Sequence, residues 1–161
     1  MTDDANADTL EARLLKDPAK RPRILDDCVK LIEAEVDSKS GLSGLAIKGG
    51  YKIVSSMKPG FVRESMDHLL DDFVRRLEPF YAQHRDSAAG KDPAGAARAF
   101  SDLLAKRSGD VADALLGITD DRARRAKNPN LKSAYERLRP QGKKHVEEAV
   151  PRVGRTLAAH L

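Results

Sequence analysis

The sequence contains a single cysteine, Cys28, and no tryptophan, and aromatic residues make up only 4% of its 161 residues. One cysteine excludes an intramolecular disulfide and any zinc or iron–sulfur site that needs several cysteines. No uncharged apolar run approaches the roughly 18–20 residues that a membrane-spanning helix requires. Residues 1–20 are polar and acidic rather than basic and apolar, so we expect no secretory signal, no membrane insertion and a cytoplasmic location.

Signatures of catalysis and of metal binding are also missing. No Gly-x-Ser-x-Gly turn is present, and the segments nearest to a Glu-x-x-His metal motif, 64–68 and 145–148, have a different spacing. The acidic group Asp67, Asp71 and Asp72 has the pattern of an exposed helix face rather than of paired catalytic carboxylates. We therefore predict no catalytic residue, no metal site and no cofactor.

The residues that are present favour helices. Apolar residues recur at spacings of three and four, which is typical of one face of an amphipathic helix. Thr9, Asp92 and Asn128 are suitable helix caps, and the last two precede prolines that suit a first helical turn. The predicted helices span 10–16, 22–38, 42–57, 61–85, 93–107 and 110–127, followed by a short helix from Pro129 and a last one from Pro140.

These elements predict an all-α, single-domain bundle of about seven helices with a glycine-notched central helix. The bundle is expected to occupy residues 8–161, with 1–7 as a disordered tail. The segment 86–92 contains Gly90 and is followed by Pro93. If the domain subdivides, we expect the division to fall in this segment.

Four of the eleven glycines lie within ten residues, from Gly41 to Gly50. A phosphate-binding loop requires lysine and then serine or threonine after its second glycine, but Gly50 and Tyr51 occupy those positions. The small and apolar residues from Leu42 to Met57 instead recur at helical spacing. They predict an amphipathic helix whose buried stripe contains the glycines.

Glycine inside a helix costs about 1 kcal/mol relative to alanine, so these glycines must serve a close contact. We expect another helix, or a second copy of the chain, to pack against them. The candidate interface consists of Gly44, Ala46, Gly49, Gly50 and Ile53. Lys48 and Lys52 lie together on another face of the same helix and are candidates for anion binding.

Basic residues are concentrated at the end of the chain. Residues 121–161 include eleven basic and four acidic residues. Basic clusters neutralise phosphates and so support nucleic-acid binding, although Asp120 and Asp121 border this one and only Tyr135 offers a nearby stacking ring. Further candidates for anion binding are Arg122, Arg124, Arg125, Lys127, Lys143 and Lys144.

From about residue 14 to the C-terminus, the chain resembles a small group of uncharacterised bacterial helical proteins. The resemblance centres on Lys48-Gly-Gly-Tyr-Lys-Ile-Val54 and Lys58-Pro-Gly-Phe-Val62. It implies an all-helical cytoplasmic protein and nothing about activity, because the group has no assigned function.

Three functions follow as hypotheses. The leading one is a non-enzymatic helical interaction protein that associates with itself, or with another protein, through the glycine-notched helix. The first alternative is a nucleic-acid-associated protein that uses the basic C-terminal helices. The second is a small-ligand-binding protein or an enzyme with its site near Lys48, Lys52 and His68.

Overall fold

Helices account for almost all of residues 8–88 and 90–161, the part of the chain that the computed structural model describes, and this part contains no strand. The prediction of an all-α bundle of about seven helices is therefore confirmed, while the tail predicted at 1–7 lies outside the described residues. The helices are α1 (Leu10–Leu15), α2 (Lys20–Ser38), α3 (Gly41–Ser55), α4 (Phe61–Ser87), α5 (Pro93–Lys106), α6 (Ser108–Arg125) and α7 (Pro129–Ala158).

Three predicted caps start their helices as expected. Thr9 and Asp92 each accept a hydrogen bond from the backbone N–H three residues later, at 3.1 and 2.9 Å. The side chain of Asn128 accepts one from the backbone N–H of Asn130 at 2.9 Å. These side chains satisfy N–H groups that have no partner within the first helical turn.

The prediction of a separate last helix from Pro140 is wrong, because α7 runs unbroken through Pro140 and Pro151. Proline removes the hydrogen bond to the carbonyl four residues earlier, which for Pro140 is that of Glu136. Glu136 and Pro140 are both exposed, so water can solvate the carbonyl of Glu136. Packing of α7 against other helices of the bundle holds the two halves in one helix.

Helix α7 organises the bundle by packing against α2, α3, α5 and α6. It approaches α5 closely at Gly154, where a Cβ would lie 2.9 Å from Ser101 Oγ and 3.1 Å from Ser101 Cα. On the other side of the bundle, α1 packs against α4 and α2 and buries Leu10 and Leu14 completely. The core lies between these two groups of helices.

His84, near the end of α4, is a buried core residue beside Tyr81 and Phe100, with ring centroids 5.6 and 5.5 Å away. Burial lowers the pKa of His84 below its ordinary value of 6.5. The unfolded chain therefore binds a proton at this position more readily than the folded chain. Consequently, His84 makes the fold less stable as the pH falls below 6.5.

Candidate ligand-binding cavity

The glycine-rich segment forms helix α3, as its spacing predicts, but the expected buried stripe faces outward. Leu42, Leu45 and Ile53 are 88%, 68% and 42% exposed, and Ala46 and Gly49 are exposed as well. The prediction that this stripe is buried within the bundle is therefore wrong. The stripe covers a wide arc of the helix. At one side of this arc, Gly50 is buried against Leu138 of α7.

The glycines of α3 have different surroundings. A Cβ on Gly50 would lie 2.6 Å from Leu138 Cδ1 of α7, and one on Gly44 would lie 2.7 Å from the backbone carbonyl carbon of Lys39. A Cβ on Gly49 would meet nothing within 4 Å. Gly50 thus accommodates a side chain of the same chain, whereas Gly49 leaves a flat outer surface.

Three of the eight basic residues predicted to bind anions are paired with acids of the same chain. Arg122 contacts Asp72 at 2.9 Å, and Lys143 contacts Asp113 at 2.9 Å. Arg124 is paired with Asp121. Arg125, Lys127 and Lys144 are exposed, as are Lys48 and Lys52 on α3. The pairing reduces the positive potential that a polyanion would meet on this surface.

The acidic group on α4 also has a structural role. Arg21 of α2 contacts Asp67 at 2.7 Å and Asp71 at 2.9 Å. The hydrogen-bonded Arg21 guanidinium lowers the pKa of Asp71. Together with the Arg122–Asp72 pair, these contacts fasten α4 to α2 and to α6.

A cavity of about 320 Å³ lies between α2, α4, α6 and α7, with Ile47 of α3 at its edge. Its volume falls at the lower end of the range of about 300–1,000 Å³ that is usual for small-molecule sites. None of the residues proposed for a ligand near α3, namely Lys48, Lys52 and His68, lines it. Its walls are mainly apolar and include Leu70, Phe73, Val74, Leu115, Val146 and Val153.

Cys28 lies in the wall of this cavity, as an apolar residue of the α2 stripe should. It is 9% exposed, and burial raises the pKa of its thiol to about 11. The thiol is therefore protonated at neutral pH and acts as a small apolar side chain.

Five polar residues form a cluster beside the cavity that we call the polar mouth: Glu35, Lys39, His145, Glu148 and Arg152. Lys39 is only 9% exposed, and its Nζ lies 2.9 Å from Glu148 and 3.3 Å from Glu35. Arg152 Nε lies 3.1 Å from the other carboxylate oxygen of Glu35. All five residues line a separate polar depression of about 380 Å³, which shares Glu35, Lys39 and His145 with the cavity.

His145 stands where the apolar cavity and the polar mouth meet. Its side chain is 11% exposed, and both ring nitrogens are buried without a hydrogen-bond partner. The nearest carboxylate oxygen, on Glu148, is 3.7 Å from Nδ1, which is too far for a hydrogen bond. A buried polar group without a partner costs about 1–3 kcal/mol, so His145 destabilises the folded state at this position.

Among the described residues, no group of three or more His, Cys, Asp or Glu side chains is arranged to hold a metal ion. No helix in the same part of the chain combines the length and the apolar character needed to cross a membrane.

The described residues form an all-α helical bundle with an apolar cavity between α2, α4, α6 and α7. The chain belongs to DUF6918, a family of unknown function, which matches residues 11–161. This result confirms the resemblance to an uncharacterised group with no assigned function. No curated protein and no solved structure matched the chain.

The sequence carries a signal for the polar mouth that the pattern analysis missed. Cys28, Ile32, Glu35 and Lys39 follow one another at spacings of four, three and four along the apolar stripe of α2. Glu35 and Lys39 are charged residues at stripe positions. They indicate that the stripe ends beside a polar cluster rather than in the hydrophobic core. His145, which begins the apolar face of α7 that lines the cavity, gives the same indication.

Proposed function

We propose that this protein binds a small, apolar molecule. The observation that carries the proposal is the cavity of about 320 Å³ between the helices, whose accessible walls are apolar. An apolar molecule of matching size would fill this space. Mainly apolar walls are typical of small-molecule sites.

The size of the cavity supports a site rather than a packing defect. Protein interiors contain few voids larger than a water molecule. An empty, closed cavity of this volume would cost about 8 kcal/mol, at about 24 cal/mol per Å³. That cost is comparable with the whole stability of many domains, which is about 5–15 kcal/mol. A ligand removes most of it.

Titration with a neutral, environment-sensitive fluorophore such as N-phenylnaphthylamine tests the proposal. We expect saturable binding of one fluorophore per chain, with a blue-shifted emission because the cavity is apolar. A thermal unfolding midpoint that rises with fluorophore concentration would support binding to the folded state. Emission that rises linearly without saturation would contradict the proposal.

Self-association through α3 is a second candidate function, favoured by a separate observation. The large hydrophobic side chains that are exposed in the described residues, Leu42, Leu45 and Ile53, all lie on one face of this helix. We call this face, with Ala46 and Gly49, the α3 outer face. Gly49 has no side chain to hold a second helix away, so a second copy of the chain can approach closely. The proposal includes a bacterial setting, which rests on the resemblance, and a cytoplasmic one, which rests on the resemblance and on the polar, acidic residues 1–20.

Light scattering on Leu45→Lys tests this second function. We expect the wild type to be a dimer and Leu45→Lys to be a monomer, because a lysine at an apolar interface brings an unpaired charge. Ala94→Lys is the matched control, since it adds the same charge at an exposed position on α5 and should remain a dimer. A monomeric wild type, or a dimeric Leu45→Lys, would contradict self-association. Substitution at Gly50 is unsuitable because that residue is buried against Leu138.

A further inference from the structure

We propose that the α3 outer face binds the surface of a membrane that contains anionic lipids, with α3 lying in the plane of that surface. This inference goes beyond the proposed function and does not require a ligand in the cavity. It depends on the exposed apolar side chains of α3, on the lysines beside them and on the lack of acidic residues in this segment.

The apolar side chains of the α3 outer face are exposed in the bundle. Leu42 is 88% exposed and Leu45 is 68% exposed, whereas Leu10 and Leu14 are buried completely. Transfer of such side chains from water to an apolar environment is favourable. Clustered exposed apolar side chains are typical of surfaces that contact another protein or a membrane.

Two lysines lie along one edge of the same face. Lys48 and Lys52 follow Leu45 by three and seven residues, and this spacing places all three side chains on one side of the helix. Both lysines are exposed. Helices that lie on membranes combine leucine and lysine in this way, because the lysines attract anionic head groups while the leucines enter the layer beneath them.

No acidic residue interrupts this basic segment. Residues 38–63 include five basic residues and no aspartate or glutamate. In the described structure Lys48 and Lys52 form no ion pair, whereas the other three basic residues do: Lys39, Lys58 and Arg63. Lys48 and Lys52 can therefore approach the negative surface potential of a membrane without a competing carboxylate from this segment.

The inner side of α3 is attached to the bundle, so the helix can rest on a membrane without leaving the fold. Gly50 is buried against Leu138 of α7, on the side of the helix away from Leu45. The 15 residues of α3 extend about 22 Å at a rise of 1.5 Å per residue. This length is less than the hydrocarbon thickness of about 30 Å, so α3 suits a position on the surface.

The charge of α3 favours a lipid surface over a second copy of the chain. In a symmetric dimer each copy presents the same patch to the other. Lys48 and Lys52 of both copies would then border one interface, and α3 supplies no carboxylate to balance them. Anionic head groups balance these charges directly. Lipid binding and self-association use one face and are therefore alternatives, which the experiment below separates.

Co-sedimentation with vesicles tests the proposal. Vesicles of phosphatidylcholine alone are compared with vesicles of phosphatidylcholine and phosphatidylglycerol in equal amounts. We expect the wild type to bind the mixed vesicles at least tenfold more tightly, because its lysines meet anionic head groups. This preference should disappear at about 1 M salt, where the screening length falls to about 3 Å.

Two double variants separate the contributions of charge and of apolar contact. Lys48→Gln/Lys52→Gln should weaken binding to the mixed vesicles by about tenfold or more, because it removes the charges that face the lipid. Leu42→Ser/Leu45→Ser should weaken binding by a similar factor at unchanged net charge, because it removes the side chains that enter the membrane. All four positions are exposed, and thermal unfolding verifies that both variants are folded.

Lys16→Gln/Lys106→Gln is the matched control, because it removes the same charge at exposed positions after α1 and on α5. It should bind the mixed vesicles as the wild type does. A wild type that stays in the supernatant with the mixed vesicles would overturn the proposal, as would undiminished binding by both α3 variants. A dimer that does not bind vesicles would overturn it and assign the face to a second copy. None of these results depends on the fluorophore titration, so failure here is distinguishable from failure of the cavity ligand.

Discussion

Replacing Gly154 with leucine is expected to lower the free energy of unfolding by about 3 kcal/mol or more. This residue lies where α7 crosses α5 most closely. A Cβ at this position would lie 2.9 Å from Ser101 Oγ, and 3.1 Å from both the Cα and the carbonyl oxygen of Ser101. Two of these three atoms belong to the backbone and cannot rotate away. The helices would have to separate and so expose the core around Phe100 and Val150.

Urea denaturation measures this effect, and Gly117 provides the matched control. Gly117 also lies inside a helix, but a Cβ there would meet nothing within 4 Å. Gly117→Leu should therefore be neutral or stabilising by up to about 1 kcal/mol, since leucine favours the helix more than glycine does. Equal midpoints for Gly154→Leu and the wild type would show that α5 and α7 do not cross closely at this residue.

Replacing Ala149 with phenylalanine is expected to weaken fluorophore binding by tenfold or more. Ala149 lines the cavity one helical turn from His145, on the face of α7 that continues to Val153. An aromatic ring needs a cavity of about 150 Å³, so the new side chain would occupy about half of the space. The ring would fill an apolar cavity rather than displace packed atoms. The folded state should therefore be as stable as the wild type or more stable.

Ala94→Phe is the control for this change, because Ala94 is exposed on α5 and does not line the cavity. It should bind the fluorophore as the wild type does. Thermal unfolding of all three proteins distinguishes lost binding from lost folding. A folded Ala149→Phe variant with wild-type affinity would place the fluorophore somewhere other than this cavity.

Local signals in the sequence predict most of the helix boundaries. A side-chain acceptor at the N-cap position starts the helices that follow Thr9, Asp92 and Asn128. Such a cap can be predicted from the type of a single residue. Pro140 leads to a wrong boundary because the free energy that a proline costs inside a helix depends on whether water solvates the carbonyl that loses its hydrogen bond. That information comes from the tertiary structure.

The close crossing of helices is less predictable. Clustering of glycines points to Gly49 and Gly50, yet the backbone-to-backbone approach occurs at the isolated Gly154. A glycine permits a close approach, but only the arrangement of the helices decides where one occurs. The same applies to the face from Leu42 to Ile53, whose periodicity predicts an apolar side but not what covers it.

The cavity could not be predicted from periodicity. Ile32, Val36 and Phe73 lie on predicted apolar faces, but they are only half-buried and line an open space. Periodicity identifies the inward side of each helix and carries no information on the distance between opposed sides. Two residues at the border of the cavity are unusual for a helix bundle: Lys39, whose charge is buried, and His145, whose ring nitrogens have no hydrogen-bond partner.

Methyl-labelled nuclear magnetic resonance of the wild type, titrated with N-phenylnaphthylamine, tests the central claim most directly. If the cavity is the ligand site, the methyl signals of Leu70 and Val74 should shift and saturate together, because both residues line it. The signals of Leu10, which is buried outside the cavity, should not move. Unchanged signals for Leu70 and Val74, or shifts confined to Leu42 and Leu45 on the α3 outer face, would contradict it.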